Sequence, residues 1–361
     1  MKHKIIFALF VCLLFSVRFA DAREKGTVRV DQLVSPALAG NPAGESAGRE
    51  VAIYLPPGYD RSEKRYPTLY LLHGMGDDHL NFVDDETEFQ NIQSLLDEGI
   101  ARRRLAEMIV VTPNESTRWG GSFYVNSAAT GNWEDFTARE LVAYVDANYR
   151  TVARPAARAV AGHSMGGFGA VVLAMKHPDV FGIAYSMNGG FIAFDGELGP
   201  RNPEIRKFVA ARTTAALLAT KSREAIGMLA VAQAFSPNPD AAPFYADKPY
   251  KLRGGRLVPE PAAYNRWLDY DVVRMADRYR ENLLKLRALK FDAGFDEEFR
   301  FININNRRFS EKLTALGIPH VFEEYNGNHR NRLWGINGRI STELLPFVTA
   351  NFEKFCQSCR L

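Results

Sequence analysis

Short unbroken apolar runs alternate along this chain with longer stretches in which apolar residues recur every third or fourth position. The first pattern marks a strand buried on both faces, the second a helix with one face in a core. Residues 27–34 and 51–55 read as early strands, the second stopped by Pro56-Pro57-Gly58. Residues 66–72 form a continuous apolar strand ending in His73-Gly74-Met75-Gly76, and residues 108–112 form another, stopped by Pro113-Asn114. A helix is predicted over 89–98, between them. A polar, aromatic loop follows at 119–133, then a helix in which Phe136, Leu141, Tyr144 and Val145 recur at helical spacing. Strands at 158–161 and 182–186 flank a helix that runs through Lys176.

From about residue 191 to 286 the alternation stops. Residues 203–234 and 262–287 look helical, and 236–261 are rich in Pro and Gly. The sheet resumes at 289–294, followed by a helix at 303–316, a strand at 320–325 and a terminal helix through Phe355. Alternating buried strands and helices predict an α/β fold with a mostly parallel central sheet and helices on both faces. Residues 23–361 then form one domain, with 191–286 a helical cap inserted over the site. Ligands of such sheets sit at the carboxyl ends of the strands, where His73, Ser164 and Asn188 fall.

Charge and cysteine content change this picture little. A net charge of +3 without a polybasic run speaks against nucleic acid as a partner. Residues 1–22 carry basic Lys2, His3 and Lys4, an apolar stretch and the small-x-small site Ala20-Asp21-Ala22, the pattern of a signal peptide, so export is expected. No later stretch approaches the length of a membrane span. Cys356 and Cys359 fit a small disulfide loop or idle thiols; a zinc half-site would need a second pair. Asp77-Asp78-His79 reads as a solvated loop, since adjacent residues point apart. Neither metal nor organic cofactor is expected.

Chemistry concentrates at Gly162-His163-Ser164-Met165-Gly166. A serine between two such glycines, at the end of a strand and the start of a helix, is the pattern of a nucleophile elbow. A serine hydroxyl needs a neighbouring base, and His329, in the loop after the last strand, occupies the place such a base would take. The acid would stand after the strand ending at Gly294, where Asp296, Glu297 and Glu298 all qualify and spacing does not choose. Two backbone N–H groups are needed for the developing oxyanion, and those of Met165 and Met75 are the natural pair. His73, Trp119, Tyr124 and Trp133 are placed as substrate-binding residues, with loop bracing and core packing as the competing roles. His163 reads as structural.

The runs Tyr54-Leu55-Pro56-Pro57-Gly58-Tyr59, Tyr66-Pro67 through His73-Gly74, Gly162-His163-Ser164-Met165-Gly166-Gly167 and His177-Pro178-Asp179 resemble an esterase family of α/β-hydrolases. That family contains the esterase D type enzymes, feruloyl esterases and antigen 85 mycolyltransferases. The likeness returns at Asn305-Asn306-Arg307 and Gly317-Ile318-Pro319-His320, but not in the cap. It implies the α/β-hydrolase fold and Ser164 as nucleophile, His329 as base and the two methionine N–H groups as oxyanion donors. Relatives usually carry aspartate three residues after the strand-ending glycine; here that position is Glu297, so Glu297 leads as the acid and Asp296 is the alternative. The expected function is that of an exported serine esterase acting on a small-molecule carbohydrate or aryl ester. Acyl transfer to a sugar or lipid alcohol, or carbohydrate binding without catalysis, are the other readings.

Overall fold

The structure, a computed structural model, describes residues 24–83, 91–192, 199–335 and 337–355. The predicted signal peptide and Cys356 and Cys359 lie outside the described residues. Eight strands form one sheet: β1 (Thr27–Val34), β2 (Gly48–Leu55), β3 (Thr68–Leu72), β4 (Ile109–Pro113), β5 (Arg158–His163), β6 (Ile183–Met187), β7 (Ala288–Gly294) and β8 (Val321–Tyr325). Their spatial order is β1-β2-β4-β3-β5-β6-β7-β8, with β2 antiparallel to both neighbours and every pair from β4 to β8 parallel.

Strand alternation splits the core in two. Tyr70, Leu72, Val160, Ala184 and Phe291 face one layer, which holds helix α3 described below, and Leu69, Leu71, Ala159, Ala161 and Tyr185 face the other. Both faces are therefore apolar, which is why these strands read as unbroken hydrophobic runs. Helix α1 (Ile92–Ala101) covers the second face with Ile92, Leu95 and Leu96, and is capped by Asn91 and Ser94 reciprocally. The stretch at 133–148 is helical throughout but contains a wider π turn at Phe136–Leu141 before α2 (Val142–Asn148). Helix α3 (Met165–Lys176) leaves the elbow with eleven of its residues buried.

The insertion contains α4 (Pro203–Ala210), α5 (Thr214–Ala219), α6 (Arg223–Phe235), α7 (Pro261–Leu268) and α8 (Val272–Arg278). Within the segment rich in Pro and Gly, Tyr250–Arg253 and Arg256–Pro259 pair as an antiparallel hairpin. Gly254 and Gly255 form its turn at φ 53° and 74°, the left-handed region that a tight hairpin turn demands. Helices α9 (Arg300–Ala315) and α10 (Leu345–Phe355) complete the layers. Among the described residues no helix is long and apolar enough to cross a membrane.

Candidate active site

Backbone crowding explains the glycines of the elbow. A Cβ on Gly162 would lie 2.4 Å from the carbonyl of Gly166, and one on Gly166 would lie 2.0 Å from the Leu72 oxygen. Between them Ser164 takes φ 57° and ψ −115°, a conformation that costs a non-glycine residue about 1–3 kcal/mol. Hydrogen bonds hold it there: Ser164 N–H donates to Met187 O (3.0 Å), and its carbonyl accepts from Gly190 N–H (2.8 Å) and Phe168 N–H (3.0 Å). The side chain is thereby turned out of the sheet.

Ser164 Oγ lies 2.9 Å from His329 Nε2, and His329 Nδ1 lies 3.0 Å from both carboxylate oxygens of Glu297. A carboxylate only accepts, so Nδ1 carries the proton and Nε2 is free to accept from the serine hydroxyl. Glu297 and His329 are both buried. Asp296, the alternative acid, is exposed; its N–H donates to Gly327 O (2.9 Å), which aims the next residue, Glu297, inward. Sequence spacing left this choice open and loop geometry resolves which carboxylate meets the imidazole.

The His329 main chain is held as firmly as its ring. Its N–H donates to Glu298 Oε2 (2.9 Å), and its carbonyl accepts from His163 Nε2–H (2.7 Å) and Asn188 Nδ2–H (3.2 Å). Asn188 also donates to the Tyr325 hydroxyl (2.7 Å) and accepts from Gly294 N–H (2.8 Å). Burial, together with neighbouring His329, pulls the His163 pKa down to about 3, so that ring is neutral. Burial raises the Glu298 carboxyl, but the His329 N–H, its own backbone N–H and the charges of His329 and Arg330 together outweigh it and the net shift is downward.

Three of the expected substrate-binding residues are not at the site. His73 is buried, with Nδ1–H donating to Gly74 O (2.8 Å) and Nε2 accepting from Glu115 N–H (2.9 Å); burial lowers its pKa to about 4. It braces the loop that carries Met75. Tyr124 is fully enclosed, its hydroxyl donating to His73 O (2.9 Å) and its ring filling the space left by Gly169. Trp133 is likewise enclosed, with its indole N–H on Thr130 Oγ1 (3.2 Å) and the Arg49 guanidinium over its ring. Their polar tips found partners in the core, so core packing is their role. Trp119 alone of the group faces the site. His79 is buried rather than solvated, and its carbonyl accepts from Thr112 Oγ1. Among the described residues no cluster of His, Cys, Asp and Glu is arranged to hold a metal.

Two cavities meet at Ser164. The inner one, about 170 Å³, is lined by Met165, Phe123, Ile192, Val231, Phe301 and Ile302 among others. The outer groove, about 560 Å³, is lined by His329, Trp119, Asp77, Arg223 and Arg330 among others. Helix α6 contributes Glu224 and Gly227 to both. Phe299 and Phe301 also line the inner cavity, a role with no sequence signal, because phenylalanines at the start of a helix read equally as core.

Residues 46–337 match the model of the family described as "Putative esterase". A curated esterase of Mycobacterium tuberculosis is 36% identical over 178 residues, 48% of this chain and 35% of that protein. An endo-1,4-beta-xylanase/feruloyl esterase of Xylanibacter ruminicola is 29% identical over 40% of this chain and 20% of its own length. This chain therefore spans well under half of either relative. Among solved structures, a ferulic acid esterase superposes with TM-score 0.62 at 23% identity, covering 91% of this chain and all of that one (100%). An S-formylglutathione hydrolase from Agrobacterium tumefaciens gives 0.58 at 18%, covering 92% of this chain and 96% of that one. These likenesses establish the α/β-hydrolase fold.

Proposed function

The chain belongs to this esterase family, and from that premise we propose that it is an exported hydrolase of carboxylic esters that works through an acyl-enzyme on Ser164. The observation that carries the reading is the unbroken hydrogen-bonded line from Ser164 Oγ through His329 to buried Glu297. In the proposed cycle His329 Nε2 takes the serine proton as Oγ attacks the ester carbonyl. The oxyanion is met by the N–H groups of Met165, first in helix α3, and Met75. The tetrahedral adduct collapses as the C–O bond to the alcohol breaks and Nε2 returns its proton to the leaving oxygen. Water then attacks the acyl-serine by the same steps, releasing the acid and restoring the hydroxyl.

The two cavities support separate places for the two halves of the ester. The leaving oxygen must reach His329 Nε2, and His329 lines the outer groove but not the inner cavity. The alcohol therefore lies in the groove beside Trp119, and the acyl group in the inner cavity. An apolar cavity of about 150 Å³ is enough for a benzene ring, so the inner one supports a short alkyl or single-ring acyl group. A long-chain acyltransferase is not supported by a cavity of that size.

Ser164→Ala tests the reading. The purified variant is expected to keep its fold and to lose hydrolysis of p-nitrophenyl esters and labelling by a fluorophosphonate; turnover at the wild-type rate refutes it. Export rests on residues 1–22, and a mature exported protein is expected to begin at Arg23.

A further inference from the structure

We propose that the Met75 side chain is the partition between the acyl cavity and the leaving-group groove, and that with Gly227 it sets the largest acyl group accepted. This rests on the esterase reading above. Met75 lines both cavities, and so does Gly227 on the facing turn of α6. The thioether spans the gap between the loop after β3 and the insertion. Its Cε and Sδ lie 3.0 and 3.5 Å from where a Cβ on Gly227 would stand, and its Cγ lies 2.9 Å from where one on Gly120 would stand.

The two glycines differ in what requires them. Gly120 has φ 132°, which excludes other residues on backbone grounds alone. Gly227 sits in the interior of α6, where glycine is the least favourable residue after proline and no positive φ calls for it. What it supplies is room for the thioether.

Phe123, Ile192, Val231 and Ile302 form the buried part of the inner cavity's wall, whereas Met75 and Phe299, both 38% exposed, line the groove as well. Of these two, Met75 carries the flexible, unbranched side chain. An acyl group too large for about 170 Å³ gains space toward the groove by pushing the thioether aside. The backbone N–H of Met75 and its side chain thus serve separate ends, the first toward the oxyanion and the second toward acyl size.

The test is kcat/KM for p-nitrophenyl esters from acetate to decanoate, with the leaving group held constant, on wild type, Met75→Ala, Gly227→Ala and the double variant. Wild type is expected to fall off beyond short acyl groups. Met75→Ala is expected to raise the decanoate-to-butyrate ratio by about tenfold or more, the scale on which hydrophobic pockets discriminate by size. Gly227→Ala, whose Cβ would stand 3.0 Å from the Met75 Cε, is expected to crowd the thioether and lower the hexanoate-to-acetate ratio several-fold, and the double variant is expected to behave like Met75→Ala. Thermal melting checks that each variant is folded. A ratio unchanged within twofold in Met75→Ala, or an undiminished effect of Gly227→Ala once Met75 is gone, overturns the partition. A wild-type chain that cleaves none of the series and takes no fluorophosphonate overturns the esterase reading beneath it instead.

Discussion

Glu297→Gln is the substitution that most directly probes the relay, because it is isosteric and changes only charge and donor pattern. Phe299 N–H reaches Oε1 at 3.2 Å, whereas His329 Nδ1–H lies 3.0 Å from both oxygens, so both carboxylate positions face a donor. Glutamine has one such oxygen. The Phe299 amide can only donate, whereas an imidazole can exchange tautomers, so the glutamine oxygen stays with Phe299 and its NH₂ turns to Nδ1. The His329 proton then sits on Nε2, where it cannot take the serine proton. The charge is lost as well. A full charge pair at 3.0 Å is worth on the order of 5 kcal/mol at an effective dielectric of about 20, and the Glu297 side chain is only 1% exposed, so solvent screens it little. At about 1.4 kcal/mol per decade, kcat for a p-nitrophenyl ester is expected to fall by about 10⁴, with little change in KM and an unaltered melting temperature. Asp296→Asn, on an exposed side chain, is expected to stay within twofold of wild type. Glu297→Gln activity within tenfold of wild type, or an equal loss in Asp296→Asn, refutes the argument.

Two further outcomes concern the frame around the relay. Asn188→Ala strands the Gly294 N–H, frees the His329 carbonyl from one of its donors and places alanine at φ 44°; a loss of about 3 kcal/mol in urea unfolding is expected, with kcat reduced more than KM. An unchanged unfolding midpoint would contradict it. Burial raises the Glu115 carboxyl from 4.5 to about 7 against the hydroxyls of Ser122 and Thr137. Between those values it is ionised in the unfolded chain and protonated in the folded one, so its contribution to stability is complete below 4.5 and is lost as pH rises, by about 3 kcal/mol above 7. Glu115→Gln is expected to flatten that slope when unfolding is compared at acid and mildly alkaline pH, and an identical slope in the variant would show that Glu115 titrates normally.

What the sequence made legible follows from which physical signals are local. A strand buried on both faces must be apolar at every position, so β3 through β7 announce themselves, and with them the carboxyl edge on which Ser164 and His329 stand. The elbow is legible because backbone contacts at Gly162 and Gly166 leave no room for a Cβ. Aromatic loop residues carry no such signal. Tyr124 and Trp133 were expected at the substrate and lie in the core, because an aromatic ring with a polar tip is equally at home in either place until its partner is known. That partner, His73 O for Tyr124, is distant in sequence. The hairpin at 250–259 was missed for a different reason: Gly254-Gly255 is a readable turn, but the surrounding Pro and Gly read as a loop.

For His329 as the proposed base, anchoring by its main chain has a physical reason. A histidine that must accept and return one proton cannot have its ring nitrogens occupied by positioning bonds beyond the one to its acid. Position must therefore come from the peptide groups, and Glu298, Asn188 and His163, two from loops and one from the last residue of β5, supply it at the carboxyl edge. His163 is the telling member. Its ring stands 4.7 Å from that of His329, and a positive charge there would oppose the imidazolium that forms as serine attacks. Burial removes the conflict by holding His163 neutral, so it donates one hydrogen bond to the His329 carbonyl and competes for no proton. The same burial that makes a histidine useless as a base at position 163 makes it serviceable as a fixed donor, and the exposure of one edge of His329 to the groove leaves that ring free to exchange protons.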